Sequence, residues 1–195
     1  KLLRGKCKMI TMLSAKLLEL DYKFFNALNG LADKSGVWDV IFIVLSEYVI
    51  FFLIAGLSLF ILIKKADRIR SAIALQALAA AFLGRAVFVS LIRIFLNRPR
   101  PFVEGVVNQL VSHNPLEPSF PSGHTTVMFA LAFSLLFVNR KWGSVYLIIA
   151  AISAFSRVIV GVHFPLDIVG GILVGFIAAI LVRWVYLLFL QKQMR

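Results

Sequence analysis

The chain has a single cysteine, Cys7, and few charged residues. Only 15% of its 195 residues are charged, whereas 61% are hydrophobic and the mean hydropathy is +0.92. One cysteine excludes an internal disulfide and a cysteine-based metal cluster. Because a soluble domain has about a quarter charged residues, this composition predicts an integral membrane protein with one helical domain.

Acidic residues are also scarce. There are nine Asp and Glu against 21 Lys and Arg, which gives a net charge of +12. Nucleic-acid-binding proteins often carry such a charge, but their basic residues form one surface. Here the basic residues lie between apolar runs, so we expect no nucleic acid as partner. The expected partners are the lipid bilayer and an anionic lipid substrate.

Five apolar stretches approach or exceed the roughly 20 residues that cross a bilayer. They are residues 37–63, 71–96, 122–138, 142–156 (extending toward 162) and 166–190. The third and fourth are short, so their polar ends are expected at an interface or in a wet cavity. The predicted fold is all-α, a polytopic membrane helical bundle of about five transmembrane helices.

The N-terminal segment, residues 1–36, differs from the predicted transmembrane domain, residues 37–195. It has an apolar helical stripe and a polar one, and Asn29-Gly30 is expected to end the helix. The stripes are Leu13, Leu17, Leu20, Phe24 and Leu28, against Lys16, Glu19, Lys23 and Asn26. An amphipathic helix lying flat on the membrane is the simpler interpretation, and a role in lipid entry is the alternative.

Three short polar clusters interrupt the apolar sequence. They are Arg93-x6-Arg100-Pro101, Pro121-Ser122-Gly123-His124 and Ser156-Arg157-x5-His163-x3-Asp167. With five alternating spans, all three fall on the same side of the membrane. Their two histidines, one carboxylate and three arginines suit breaking a phosphoester through a histidine nucleophile.

The histidine clusters each have a structural and a functional interpretation. Ser122 and Gly123 open the third span, where backbone N–H groups favour an anion, although a plain helix start is the alternative. His124 favours function, because a helix N-terminus disfavours imidazolium. Asp167, four residues after His163, either complements the helix dipole or orients the imidazole.

The arginines also have two interpretations. Arg93 near the end of the second span either snorkels to the interface or binds an anion. Pro99 and Pro101 predict an extended turn at Arg100. Together with Arg157, these guanidinium groups would neutralise the equatorial oxygens of a phosphoryl group.

Further charged residues lie outside the clusters. If the first two spans run antiparallel on either side of the 64–70 turn, position 47 lies near position 87. Glu47 and Arg85 are therefore predicted to form an ion pair, with substrate gating as the alternative. The loop 97–121 is long enough to be functional, yet His113 within it is expected to be solvated.

The three clusters, in order, resemble the signature motifs of the type-two phosphatidic acid phosphatase superfamily, membrane relatives of vanadium haloperoxidases. The resemblance covers about residues 85–175, and it departs from the family at Arg93, where the usual residue is lysine. Within the superfamily the chain is most similar to the bacitracin-resistance type of undecaprenyl diphosphate phosphatase. The segments that carry this similarity are 25–30, 46–48 and 119–126.

The resemblance implies a metal-independent lipid phosphatase that works through a phosphohistidine. In this mechanism His163 attacks phosphorus, Asp167 orients it, and His124 protonates the leaving oxygen and then activates water. The phosphoryl oxygens are held by Arg93, Arg100, Arg157, Ser122 and Gly123. No cofactor is implied, and the loop carboxylates Glu104 and Glu117 are too few for a magnesium site.

The leading expectation is hydrolysis of undecaprenyl diphosphate to undecaprenyl phosphate, a step of cell-wall biogenesis linked to bacitracin resistance. The alternatives are a phosphatidylglycerophosphate, phosphatidate or lipid A phosphatase, or a lipid phosphotransferase. A lipid-phosphate binder or transporter is the non-enzymatic alternative, but a binder needs the arginines and not the histidines. The sequence predicts no oligomeric state.

Charge distribution predicts the orientation. Cations in 64–70, 140–141 and 192–195 lie on the side opposite the clusters, and the positive-inside rule makes that side cytoplasmic. The active site is therefore expected to face the outside of a bacterial plasma membrane. The basic N-terminus opposes this topology, which places Lys1, Arg4, Lys6 and Lys8 outside.

Overall fold

The computed structural model describes residues 2–63, 68–105 and 107–193, with side chains for 15–59, 71–105 and 107–193. Within these residues the chain is helical and contains no strand, which confirms the predicted class. The helices are α1 Leu2–Asn29, α2 Gly36–Glu47, α3 Val49–Ile63, α4 Arg68–Phe82, α5 Ser90–Phe95, α6 Pro101–Glu104, α7 Gly123–Leu136, α8 Arg140–Ile159 and α9 Pro165–Gln193. A π-helical turn, Leu83–Val89, joins α4 to α5.

Among the described residues, three helices are long and apolar enough to cross a membrane, namely Ser71–Phe95, α8 and α9. The pair α2 and α3 meets the same criterion together but bends by 46°. The first predicted span is therefore a broken helix. The predicted third span is α7, which has 14 residues. The polytopic helical bundle is confirmed, with one broken and one short member.

Helix α7 lies at the centre of the bundle and packs against α4, α8 and α9. Eleven of its 14 residues are buried, and they form the core with alanines and leucines of the neighbouring helices. A helix enclosed on all sides is apolar all round and needs no lipid-facing surface. This position explains why α7 is short, and it brings the first turn of α7 against the π-helical turn and α9.

Small residues set the helix contacts around α7. A Cβ at Gly175 would lie 2.7 Å from the Thr126 carbonyl oxygen, and one at Gly171 would lie 2.8 Å from that of Ser122. On the other side, a Cβ at Gly84 would lie 2.8 Å from Thr126 Cγ2. Glycines at these positions thus let the helix backbones approach closely, and these contacts hold the start of α7 in place.

Helix α1 ends at Asn29 as predicted, but the face it packs on the bundle is not its apolar stripe. Asp21, Phe25 and Asn29, spaced four apart, are buried. The exposed members of the predicted stripe are Leu17, Leu20 and Phe24; Leu28 is partly buried, and the side chain of Leu13 lies outside the described residues. One face of α1 is therefore docked on the protein, and the apolar stripe beside it stays open.

Candidate active site

All three polar clusters meet in one pocket. Its lining residues are Arg85, Arg93, Arg100, His113, Glu117, Gly123, His124, Arg157 and His163. Six of these nine belong to the clusters singled out from the sequence. The clusters thus lie at the same end of the bundle, as alternating spans require.

His163 lies in the turn between α8 and α9, and it is 1% exposed. Its Nδ1 is 3.4 Å from Asp167 Oδ2 and 3.2 Å from Ser119 Oγ. Asp167 is in the first turn of α9 and fully buried. Because Nδ1 faces these partners, Nε2 is the nitrogen left for the pocket.

The environment keeps His163 uncharged. Burial, followed by the nearby Arg157, Arg100 and Arg93, lowers the pKa of His163 well below its ordinary value of 6.5. Desolvation and neighbouring cations both disfavour imidazolium. At neutral pH the side chain is therefore in the form that can act as a nucleophile.

Both oxygens of Asp167 are hydrogen-bonded. Oδ2 accepts from the Ser119 hydroxyl and, at 2.8 Å, from the Phe164 N–H. Oδ1 accepts from Arg98 Nη1 at 3.0 Å. Neither contact was predicted: Ser119 lies in the segment 119–126 that carries the family resemblance, but no local sequence pattern links Ser119 or Arg98 to Asp167. Together they fix the orientation of the carboxylate next to His163.

Arg157 and Arg93 each have an unpartnered N–H. Arg157 is 1% exposed, and its Nη1 donates to the Ser46 carbonyl at 2.9 Å and to Glu47 Oε1 at 2.8 Å. Arg93 Nη2 donates to the Pro121 carbonyl at 3.1 Å. In the described structure, Nε of both arginines is buried without a hydrogen-bond partner. Buried guanidinium N–H groups beside a pocket indicate an anion-binding site.

Arg100 is held mainly by the protein. Its backbone is extended, with φ −81° and ψ 157°, as the flanking prolines predict. Its Nε and Nη2 donate to the carbonyl and carboxylate of Glu117, at 3.2 and 3.3 Å. Nη1 donates to the Val162 carbonyl at 3.3 Å. Arg100 therefore ties the loop 97–121 to the residue before His163.

Ser122 caps the first turn of α7, which begins where the sequence predicts the third span to open. Ser122 Oγ accepts hydrogen bonds from the Thr125 N–H at 3.4 Å and from Thr125 Oγ1 at 3.0 Å. Ser122 is buried and is not one of the pocket-lining residues. A Cβ at Gly123 would lie 2.6 Å from Arg85 Nε. The guanidinium of Arg85 thus lies directly against the backbone of Gly123.

The predicted pair of Glu47 and Arg85 is wrong. Glu47 instead binds Arg157, and its Oε1 lies 3.5 Å from His113 Nε2. The prediction assumed a straight first span, but α2 ends at Glu47 and the chain bends there. His113 was expected in solvent, and this is also wrong, since it lines the pocket beside Glu47.

Arg85 reaches the pocket through the π-helical turn, which the sequence did not predict. In a regular α-helix, residues eight apart differ by about 80° around the axis. The wider π turn between Arg85 and Arg93 reduces this difference. One helix thereby directs two arginines into the same pocket.

The charge of the pocket is mainly positive. Four arginines line it against one carboxylate, Glu117. Among the described residues no group of three or more His, Cys, Asp or Glu side chains is arranged to hold a metal ion. The arrangement suits binding of a phosphate group next to a neutral imidazole.

Comparison with known proteins identifies the family. The profile of the PAP2 superfamily matches residues 73–190. Undecaprenyl-diphosphatase BcrC of Bacillus subtilis is 33% identical over 165 residues, which are 83% of this chain and 82% of that protein. Lipid A 4'-phosphatase of Porphyromonas gingivalis is 29% identical over 178 residues, which are 88% of this chain and 75% of that one.

A solved structure has the same architecture. The crystal structure of Aquifex aeolicus LpxE has a TM-score of 0.66 and 29% identity, and the match covers 84% of this chain and 94% of LpxE. The matched region, residues 73–190, contains all three polar clusters and more than half of the residues of the chain. This chain, a multi-pass membrane protein, therefore belongs to the PAP2 superfamily.

Proposed function

We propose that the protein is a lipid phosphatase that converts undecaprenyl diphosphate to undecaprenyl phosphate. The observation that carries this proposal is a buried His163, with Nδ1 against Asp167, beside buried arginine N–H groups that have no partner in the described structure. A relative at 33% identity is named undecaprenyl-diphosphatase, which supports the choice of substrate.

The reaction takes place in two displacements. His163 Nε2 attacks the terminal phosphorus, the bond from that phosphorus to the bridging oxygen breaks, and His124 gives a proton to the departing oxygen. Asp167 holds Nδ1–H and stabilises the positive charge that develops on the ring. Water then attacks the phosphohistidine, His124 accepts its proton, and inorganic phosphate leaves.

The cations of the pocket stabilise the transferred group. The free N–H groups of Arg93 and Arg157 contact its equatorial oxygens, where charge is spread in the transition state. Arg100 adds positive charge, but its N–H groups already donate to Glu117 of the loop 97–121 and to the Val162 carbonyl. Gly123, which lines the pocket, brings the positive end of α7 next to the same group. The N–H of the predicted phosphate-binding residue Ser122 instead donates to the Asp167 carbonyl at 3.0 Å.

Arg85 favours a diphosphate over a monophosphate. It lines the pocket and makes no hydrogen bond or ion pair with the residues that the structure describes. A guanidinium in a membrane-spanning helix is costly without an anion. The lipid-linked phosphate of a diphosphate supplies that anion next to the phosphoryl group being transferred.

The test compares two lipids with the same tail. Arg85→Gln is expected to lower kcat/KM for undecaprenyl diphosphate by about 10–100-fold, the effect of losing charge-assisted hydrogen bonds. Hydrolysis of a polyprenyl monophosphate should change little. Arg140→Gln, an exposed arginine at the start of α8, is the matched control. If the unmodified protein hydrolyses lipid A or phosphatidylglycerophosphate faster than the diphosphate, the substrate assignment is wrong.

A second prediction concerns inhibitors. Phosphate release should persist in excess EDTA, because the arginines supply the positive charge that a metal would otherwise supply. Vanadate should inhibit competitively, since its five-coordinate form resembles phosphorus in the transition state. The measurement is the initial rate in detergent with each additive. Strict dependence on magnesium, with no effect of vanadate, would contradict the mechanism.

A third prediction concerns orientation, and we propose that the pocket opens to the outer surface. Arg157 and Lys141 lie about 25 Å apart along α8, so Lys141 marks the opposite end of the bundle. In a background with Cys7→Ser, Leu116→Cys should react with an impermeant maleimide in intact cells, since Leu116 is 87% exposed in the pocket loop. Lys141→Cys should react only after the membrane is opened. The reverse pattern would place the pocket in the cytoplasm.

A further inference from the structure

Asp21 of α1 is a buried carboxylate that the proposed mechanism does not use. It is 3% exposed, although α1 is the N-terminal helix with an open apolar stripe. Its Oδ1 accepts the Leu166 N–H at 2.8 Å. That N–H is in the first turn of α9 and has no acceptor within its own helix. A side chain of α1 thus caps the helix that carries Asp167.

The second oxygen of Asp21 connects to Asp167 through Arg98. Arg98 Nη2 donates to Asp21 Oδ2 at 2.5 Å, and its Nη1 donates to Asp167 Oδ1 at 3.0 Å. The guanidinium carbon also lies 4.0 Å from the centre of the Phe164 ring. A planar guanidinium held at three points has one orientation. Arg98 therefore transmits the position of Asp21 to Asp167.

The same surface of α1 makes further contacts with the site. Phe25 and Tyr22 pack on Phe164, with ring centres 5.1 and 5.0 Å apart. Asn29 Nδ2 donates to the carbonyls of Ile159 and Asn108, at 2.8 and 2.9 Å. Of these partners, Ile159 ends α8, Asn108 lies in the loop 97–121, and Phe164 follows His163. Helix α1 is thus part of the wall behind the nucleophile.

We propose that Asp21 and Arg98 are positioning residues for the reaction. They hold the Asp167 carboxylate so that its Oδ2 faces His163 Nδ1, and they make the docking of α1 a condition for fast turnover. This inference rests on the roles proposed above for His163 and Asp167. Because neither residue lines the pocket, they act on the chemical step and not on substrate binding.

The first experiment measures kcat and KM of Asp21→Asn with undecaprenyl diphosphate. Asparagine keeps the size of the side chain but removes the charge that holds Arg98. We expect kcat to fall by about 10–100-fold, the usual effect of losing a partner that orients a site residue, with KM changed less than about threefold. Glu19→Gln is the matched control, because Glu19 is an exposed carboxylate on the same helix. It should leave both constants unchanged.

A double-mutant cycle separates positioning from general destabilisation. If Asp21 acts through Asp167, then Asp21→Asn should lower kcat little further in an Asp167→Asn background. A purely structural effect would multiply the two losses instead. Multiplied losses, or an Asp21→Asn protein with normal kcat, would overturn the inference.

A second variant keeps the test decisive if Asp21→Asn does not fold. Arg98→Lys retains the charge but cannot bridge two carboxylates, so kcat should fall with KM nearly constant, and the cycle with Asp167→Asn should again be non-additive. Normal kcat in Arg98→Lys would overturn the inference. Normal activity of Asp167→Asn itself would instead contradict the proposed mechanism, so the two failures are distinguishable.

Discussion

Phosphate release should be abolished by replacing His163 with alanine. The imidazole is buried and uncharged, and it is the nucleophile of the proposed mechanism, so removing it leaves no atom to accept the phosphoryl group. Losing one member of a catalytic unit costs a factor of about 10⁴–10⁶ in other enzymes that use a nucleophile. The measurement is phosphate release from undecaprenyl diphosphate in detergent.

The control for His163→Ala is His113→Ala. Both variants remove an imidazole from the same pocket, but His113 contacts Glu47 and has no proposed role in bond breaking. His113→Ala should therefore keep measurable turnover. Equal thermal stability of the two proteins would show that the loss in His163→Ala is chemical. A His163→Ala protein that retains more than a few per cent of the activity would contradict the mechanism.

Asp167→Asn should cause the second-largest loss, about 10²–10⁴-fold in kcat, by analogy with orienting carboxylates in triads. The four groups that surround this side chain are all donors or potential donors: Ser119 Oγ, the Phe164 N–H, Arg98 Nη1 and His163 Nδ1. An amide offers one acceptor oxygen and a competing NH₂ group. The imidazole would then lose its orientation and its stabilising charge.

Asp33→Asn is the matched control for this substitution, because Asp33 is exposed and does not line the pocket. Its kcat should equal that of the unmodified protein. Steady-state kinetics of the two variants, with a melting curve for each, make the comparison. A kcat for Asp167→Asn within a few-fold of normal would show that the carboxylate only complements the helix dipole.

The residues that line the pocket were largely predictable because polar side chains are rare in this sequence. An arginine or histidine at the end of an apolar span needs a partner, so His124, Arg157 and His163 stood out individually. Alternation of the spans then placed them on one side. Capping of α7 by Ser122 followed from local rules that depend on neighbouring residues alone.

Features that depend on distant contacts were not predictable. Asp21 is separated from Leu166 by 145 positions, and no local pattern links the two. The prediction that Glu47 pairs with Arg85 was wrong because it assumed a straight first span and a regular second helix. The bend after Glu47 and the π turn at Arg85 both violate that assumption.

The central claim is that the phosphoryl group is transferred to His163, and the most direct measurement traps this intermediate. His124→Ala lacks the base for the second displacement. An aryl phosphate such as p-nitrophenyl phosphate needs no proton on its leaving group, so the first displacement should still occur. After an alkaline quench, mass spectrometry of the peptides should find one phosphate per protein on His163. Phosphate on another residue, or steady product release with no phosphorylated peptide, would contradict the account.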